Sequence, residues 1–250
     1  MPARRVLVLG GTGEARELAG RLTQRRDVEV VSSLAGRVAA PRLPAGEVRV
    51  GGFGGASGMA QWLTSHAVDV VIDATHPFAS TITEHAAEAA AQTHVALLRL
   101  HRPAWVAKEG DRWLPVASVG AAARRVAEVG TRALLATGRQ DVPAFASVAD
   151  VWFLIRCIDP PAGALPPRHE VLLARGPFDL AAERELLRRH GIDVVVTKNS
   201  GGAATRAKLD AARRLGLPVV IVERPALLPG VATVSSVDAA IAWLSQGQSG

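Results

Sequence analysis

The chain has 250 residues, a formal charge of +6 and 48% hydrophobic content, enough apolar material for one large core or two smaller ones. No apolar run approaches the roughly 18 residues that a membrane-spanning helix needs, and the basic start Met1-Pro2-Ala3-Arg4-Arg5 leads straight into an apolar stretch, so neither a span nor a secretory leader is expected. One cysteine, Cys157, excludes an intramolecular disulfide and fits a cytoplasmic location, and it reads as a small buried residue rather than a reactive thiol.

The first element is the uncharged run Val6-Leu7-Val8-Leu9, the mark of a strand buried on both faces of a parallel sheet. It breaks into Gly10-Gly11-Thr12-Gly13 and opens a helix over 14–24. The N–H groups at such a turn have no helical partner and the helix dipole favours negative charge, so a phosphate-bearing ligand fits there. The dinucleotide fingerprint G-x-G-x-x-G is met only in part: Gly11 and Gly13 supply two glycines and Arg16 stands at the third position. A plain strand-to-helix turn is the competing reading.

Strands are expected at 28–31, 48–50, 68–73 and 95–100, with helices at 57–66 and 80–92 between them. This alternation implies right-handed crossovers and a parallel, doubly wound sheet. The segment 105–116 reads as an irregular crossing, with Gly110-Asp111 as a turn. A second series follows, with helices at 119–129, 142–147, 180–190, 203–215 and 237–244 and strands at 132–136, 151–155, 170–173, 194–197 and 219–222. The expected fold is therefore α/β, two Rossmann-like doubly wound lobes with mainly parallel sheets, residues 1–100 and 101–250, with a ligand cleft between them.

Of the 29 basic residues only Lys108, Lys198 and Lys208 are lysines. Arginine's planar fork suits carboxylates and phosphates, although a GC-rich coding bias would produce the same excess. The arginines are scattered and the aromatic content is 4%, so nucleic acid is the weakest partner class.

Ligands of doubly wound sheets bind at the carboxyl ends of the strands. After the second strand an NAD-binding fold usually places an acid on the ribose; here stand Ser32, Ser33 and then Arg37, which suit a 2′-phosphate and favour NADPH over NADH. Arg37 as a solvated loop charge is the alternative. After the strand ending at Asp73 come Ala74, Thr75, His76 and Pro77, where Thr75 is expected to cap the next helix and Pro77 to enter its first turn. His76 is a candidate proton donor, or a structural histidine. In the second lobe, Thr137-Gly138-Arg139-Gln140-Asp141 and Thr197-Lys198-Asn199-Ser200-Gly201-Gly202 read as anion cradles at helix N-termini, with Arg175-Gly176-Pro177-Phe178 a weaker third. Three ordinary turns would look the same; three together favour a multiply anionic substrate.

L-G-G-T-G-E-A-R-E-L at 9–18, D-A-T-H-P-F-A at 73–79, R-P-x-W at 102–105, T-G-R-Q-D at 137–141 and T-K-N-S-G-G at 197–202 occur in this order along the chain. Together they resemble the precorrin-6A reductase family of cobalamin biosynthesis, over about residues 4–245. The resemblance implies NADPH-dependent reduction of a corrin-ring double bond, precorrin-6A to precorrin-6B, with no metal or flavin. It also implies a polycarboxylate tetrapyrrole substrate and handover to other enzymes of the pathway. Residues 1–100 would bind NADPH through Gly10, Gly11, Thr12, Gly13, Glu14, Arg16, Ser32, Ser33, Arg37, Ala74 and Thr75. Residues 101–250 would bind substrate through Arg139, Gln140, Arg175, Asn199, Ser200, Gly201 and Gly202, with His76 and Lys198 as catalytic candidates. A cobalt-containing substrate, or a non-catalytic NADP(H)-binding regulatory module on the same fold, remain the alternatives.

Overall fold

The computed structural model describes residues 3–36 and 42–246. These form two compact units, Met1–Pro103 together with Pro225–Gly250, and Ala104–Arg224.

The first unit contains β1 (Arg4–Leu9), β2 (Val28–Leu34), β3 (Glu47–Val50), β4 (Val70–Asp73), β5 (Ala96–Leu100) and β12 (Ala232–Val234). They form one six-stranded sheet in the order β12-β5-β4-β1-β2-β3, with every pair parallel. Helices α1 (Gly13–Leu22), α2 (Gly55–Ser65), α3 (Ser80–Thr93) and α7 (Val237–Gln246) cover it. Side chains of β1 alternate between two cores, as a two-residue period requires. Val6 and Val8 pack with Leu18 and Leu22 of α1 and Ala240 and Leu244 of α7. Leu7 and Leu9 pack with Met59 and Leu63 of α2 and Ala86 and Ala89 of α3. Each such side chain is fully withdrawn from water, worth about 1.5–3 kcal/mol against exposure. This is why β1 carries no polar residue after Arg5.

The second unit contains β6 (Arg112–Val116), β7 (Arg132–Ala136), β8 (Trp152–Cys157), β9 (His169–Leu173), β10 (Val194–Lys198) and β11 (Pro218–Val222). Their order is β6-β11-β10-β7-β8-β9, again all parallel. Its helices are α4 (Val119–Val129), α5 (Leu180–Arg189) and α6 (Ala207–Arg214), with a single 3-10 turn at Val142–Phe145.

The doubly wound parallel architecture agrees with the sequence pattern; several boundaries differ. The chain after residue 224 returns to the first unit, where β12 pairs with β5 and α7 packs beside α1. The sequence places that segment in the second lobe, because the stripe Val237, Ala240, Ile241, Leu244 records a helix face but not which sheet it covers. The segment expected to be irregular contains β6, whose Pro115 is tolerated because β6 is an edge strand. The helix expected from 203 begins at Ala207, and the one expected at 142–147 is only the 3-10 turn.

Candidate functional site

The first unit concentrates its unusual backbone where β1 meets α1. Gly10 donates its N–H to the Ser33 carbonyl at 2.9 Å. A Cβ on Gly10 would lie 3.3 Å from Leu34 Cδ2, so the turn passes close against β2. Gly11 holds φ at +109°, a region that disfavours side chains, and faces open space. The Thr12 hydroxyl accepts from Ala15 N–H at 3.0 Å and donates to the Ala74 carbonyl at 2.8 Å. It thereby caps α1 and ties the turn to the end of β4. The N–H groups of Gly13 and Glu14 have no partner inside the helix, since the ladder starts only four residues in. The Arg16 guanidinium folds back over this end, its Nη2 3.8 Å from where a Cβ on Gly13 would sit. Glu14 pairs with Arg102 at 2.8 Å, so its carboxylate is already neutralised from within the unit.

Beside this turn, Ser32 is buried and its Oγ has no hydrogen-bond partner. Ser33 accepts from Arg49 Nη1 at 2.9 Å. Arg37, the cation expected to face a 2′-phosphate, lies outside the described residues. At the end of β4, buried Asp73 is ion-paired with buried Arg99 of β5. Asp73 Oδ1 also accepts from Thr75 N–H at 3.0 Å and from the Thr75 hydroxyl at 2.7 Å. Thr75 therefore does not cap α3, as the sequence suggested. That helix starts at Ser80 after Ala79, with no side-chain cap. Pro77 accordingly precedes the helix rather than entering its first turn. The carboxylate of Asp73 outcompetes the distant helix end for the Thr75 hydroxyl because it is adjacent and charged. His76 Nδ1 accepts from Phe78 N–H at 3.3 Å, which puts the proton of the neutral ring on Nε2.

In the second unit the loop after β7 carries Thr137, Gly138 (φ +100°), Arg139, Gln140 and Asp141. The Thr137 Oγ1 is buried without a hydrogen-bond partner, and Arg139 and Gln140 stand on the same loop. Lys198, at the end of β10, is paired with Asp141 at 2.5 Å, which joins two of the expected cradles into one. Asn199 is committed to the fold: its Oδ1 accepts from Trp105 N–H at 2.9 Å and its Nδ2 donates to the Trp105 carbonyl at 3.1 Å. Ser200 is buried, and Gly201 and Gly202 adopt φ of +65° and +79°. Trp105 Nε1 donates to the Gly202 carbonyl at 2.8 Å. These loops do not open helices directly. The 3-10 turn follows one, and 203–206 separates the other from α6. At Arg175–Phe178 the next helix, α5, is already capped by Asp179, whose Oδ1 accepts from Ala181 and Ala182 N–H. An acid at that N-terminus makes it a poorer anion seat.

Behind these loops lies a buried charged cluster. Arg156 pairs with Glu183 and its guanidinium carbon stands 4.1 Å from the Phe178 ring centroid. Lys208 Nζ donates to the Thr205 carbonyl at 2.8 Å and lies 4.6 Å from the Trp105 ring centroid. Burial, reinforced by Arg156 and opposed by Glu183, lowers the Lys208 pKa to about 7. Burial also pushes the Cys157 thiol up, with Arg139 opposing, so the thiol is a poor nucleophile.

Sequence reasoning missed Arg49, Arg99, Arg102 and Asp141. The available signal was a cation inside an otherwise apolar strand, as in Val48-Arg49-Val50 and Leu97-Leu98-Arg99-Leu100. No group of three or more metal-ligating side chains occurs among the described residues. Nor, among them, is any helix long and apolar enough to cross a membrane.

Comparison with known proteins gives a consistent result. A family model described as precorrin-6x reductase CbiJ/CobK matches residues 5–245. A Rhodococcus erythropolis protein named precorrin-6A reductase is 55% identical over 240 residues, covering 96% of this chain and 97% of that one. A Priestia megaterium protein named cobalt-precorrin-6A reductase is 30% identical over 233 residues, covering 88% and 90% respectively. A solved structure described as CobK precorrin-6A reductase matches with a TM-score of 0.91 at 43% identity, covering 97% of this chain and 96% of that one. The motifs at 9–18, 73–79, 102–105, 137–141 and 197–202 all fall inside the matched span, and this chain belongs to the precorrin-6x reductase family.

Proposed function

We propose that this chain reduces a ring double bond of precorrin-6A with NADPH, giving precorrin-6B. The observation that carries the reading is the nearly end-to-end likeness to a protein named for that reduction. The metal-free substrate is preferred because that likeness is much stronger than the likeness to the cobalt-precorrin enzyme. When bound, the cofactor supplies a hydride, two electrons and one hydrogen, to one ring carbon, while an acid supplies the balancing proton, and NADP⁺ is released.

The residues of the first unit fit an anionic dinucleotide. Free N–H groups at Gly13 and Glu14, the open face of Gly11 and the folded-back Arg16 suit a diphosphate. The orphaned Ser32 hydroxyl and Ser33 suit the ribose that follows. The Asp73–Thr75–Arg99 network holds Ala74 and Thr75 rigid, so that the loop is organised before a ligand arrives. His76, with its Nε2 proton, is one candidate acid.

The residues of the second unit suit a polycarboxylate. Arg139, Arg175 and Lys198 supply the charge, and Gln140, Ser200 and the backbone of Gly201 and Gly202 supply neutral donors. Asn199 acts by holding the loop rather than by touching substrate. Asp141 orients Lys198, the second candidate acid.

The test is anaerobic turnover of the purified protein with NADPH and precorrin-6A. The expected result is loss of one NADPH for each ring reduced, with the product two hydrogen atoms heavier. Binding of NADP(H) without ring reduction would favour the regulatory alternative. Turnover of the cobalt complex alone would reassign the substrate.

A further inference from the structure

Arg49 ends β3 directly before the run Gly51-Gly52-Phe53-Gly54-Gly55, in register with Ser33 on β2. Its Nη1 donates to Ser33 Oγ at 2.9 Å and to the Gly51 carbonyl at 3.0 Å, and its Nη2 donates to the Gly52 carbonyl at 3.0 Å. One face of the guanidinium lies on the Phe53 ring, 3.7 Å from the centroid. The group is thus pinned at its edge and stacked on its face, a cation held in one orientation.

Its partners among the described residues are three neutral oxygens and an aromatic ring, with no carboxylate. Arg99, Arg102, Arg156 and Lys198 each face a carboxylate. Partial burial disfavours the Arg49 charge and lowers its pKa, with no counter-ion to offset it. The surroundings leave room for one. Gly51, Gly54 and Gly55 have φ of +121°, +81° and +91°, and a Cβ on any of them would meet nothing within 4 Å. Helix α2 begins there with no side-chain cap and no acid in its first turn. Ser33 Oγ accepts from Arg49, which leaves its own proton available for an anion.

A dinucleotide whose diphosphate sits at the start of α1 extends its adenosine half past the end of β2, next to β3. We propose that Arg49, with the Ser33 hydroxyl and the 51–55 glycine turn, receives the 2′-phosphate of the cofactor and selects NADPH over NADH. This rests on the cofactor reading above and makes Arg49 the specificity-determining cation, where the sequence alone pointed to Arg37. The phosphate supplies the counter-charge that Arg49 lacks, and the stacked fork presents its remaining N–H donors without reorganising.

The test is calorimetric binding of NADP⁺, NAD⁺ and 2′,5′-ADP to the full chain without tetrapyrrole, for the wild type, Arg49→Ala, Arg49→Lys and Arg37→Ala. For Arg49→Ala a loss of about 10–100-fold in NADP⁺ affinity is expected, with NAD⁺ changed by no more than about 2-fold. Arg49→Lys should retain part of the NADP⁺ preference, and it serves should the alanine variant fail to fold. 2′,5′-ADP should bind the wild type and not Arg49→Ala. An equal loss of NADP⁺ and NAD⁺, an unchanged ratio, or a collapse of the ratio in Arg37→Ala instead would overturn the assignment. A wild type that binds none of the three ligands would overturn the cofactor reading itself.

Discussion

The two units are built on the same plan and differ at corresponding positions. In each sheet three strands run outward from the first strand on one side, and two further strands follow on the other before a sixth closes the edge. In both units that sixth strand, β12 or β6, comes from outside the run of five. Yet the turn after β1 opens a ten-residue helix capped by Thr12, whereas the turn after β7 opens a four-residue 3-10 turn with no side-chain cap. The first unit therefore offers a helix dipole and unused N–H groups, a seat for a diphosphate. The second offers side-chain cations and hydroxyls at that position, better matched to carboxylates scattered around a large ring. One scaffold serves two ligand chemistries through a change in the loop alone.

The buried ion pairs separate the units most strongly. Removing the carboxylate from Arg156–Glu183 by Glu183→Ala should cost about 3–5 kcal/mol in denaturant unfolding, because a buried cation is left unpaired. Asp73→Ala should cost a similar amount and also weaken NADP⁺ binding, since Asp73 holds Thr75, while Glu183→Ala should spare that binding. Equal effects of the two variants on NADP⁺ would break the division of labour.

Next in size is Gly11→Ala. A side chain at φ +109° costs on the order of 1–3 kcal/mol, read as a roughly tenfold or greater loss of NADP⁺ affinity. Gly138→Ala, at φ +100° in the second unit, should leave NADP⁺ binding unaltered. Smaller again, Lys198→Ala should lower kcat/KM for the tetrapyrrole about tenfold with NADP⁺ affinity retained. An unchanged KM and kcat would remove Lys198 from the substrate site.

The gentlest effect concerns Lys208, which faces Arg156, Glu183, Trp105 and the Thr205 carbonyl. Its pKa is lower folded than unfolded, so between about 7 and the ordinary lysine value the unfolded chain binds more protons. Its contribution to stability therefore rises with pH across that window, by at most about 1 kcal/mol per pH unit, and is lowest below pH 7. Lys208→Met should flatten that rise in unfolding curves measured between neutral and alkaline pH.

Much of the fold was legible because it is written in short-range patterns. Val6–Leu9 declares a strand buried on both faces, and Thr12 with Ala15, Leu18, Ala19 and Leu22 declares a capped amphipathic helix. The 105–116 segment was opaque because Gly110 and Pro115 interrupt the pattern that an edge strand would otherwise show. At the candidate site Thr75 misled for a related reason: a threonine before a helix looks like a cap unless the geometry of Asp73 and Arg99 is known.

The sequence by itself determined the parallel α/β class, the glycine turn with its uncapped anion seat, and the ordered motifs that point to a family. All of these depend on residues near one another in the chain, where spacing and side-chain chemistry suffice. Only the tertiary structure decided that β12 and α7 complete the first unit, that Lys198 meets Asp141, and that Arg49 stands beside Ser33 without a carboxylate. Each is a pairing across at least a loop and a strand, set by sheet order and register. A hydrophobic stripe or a lone cation says that a partner is needed; packing chooses which one.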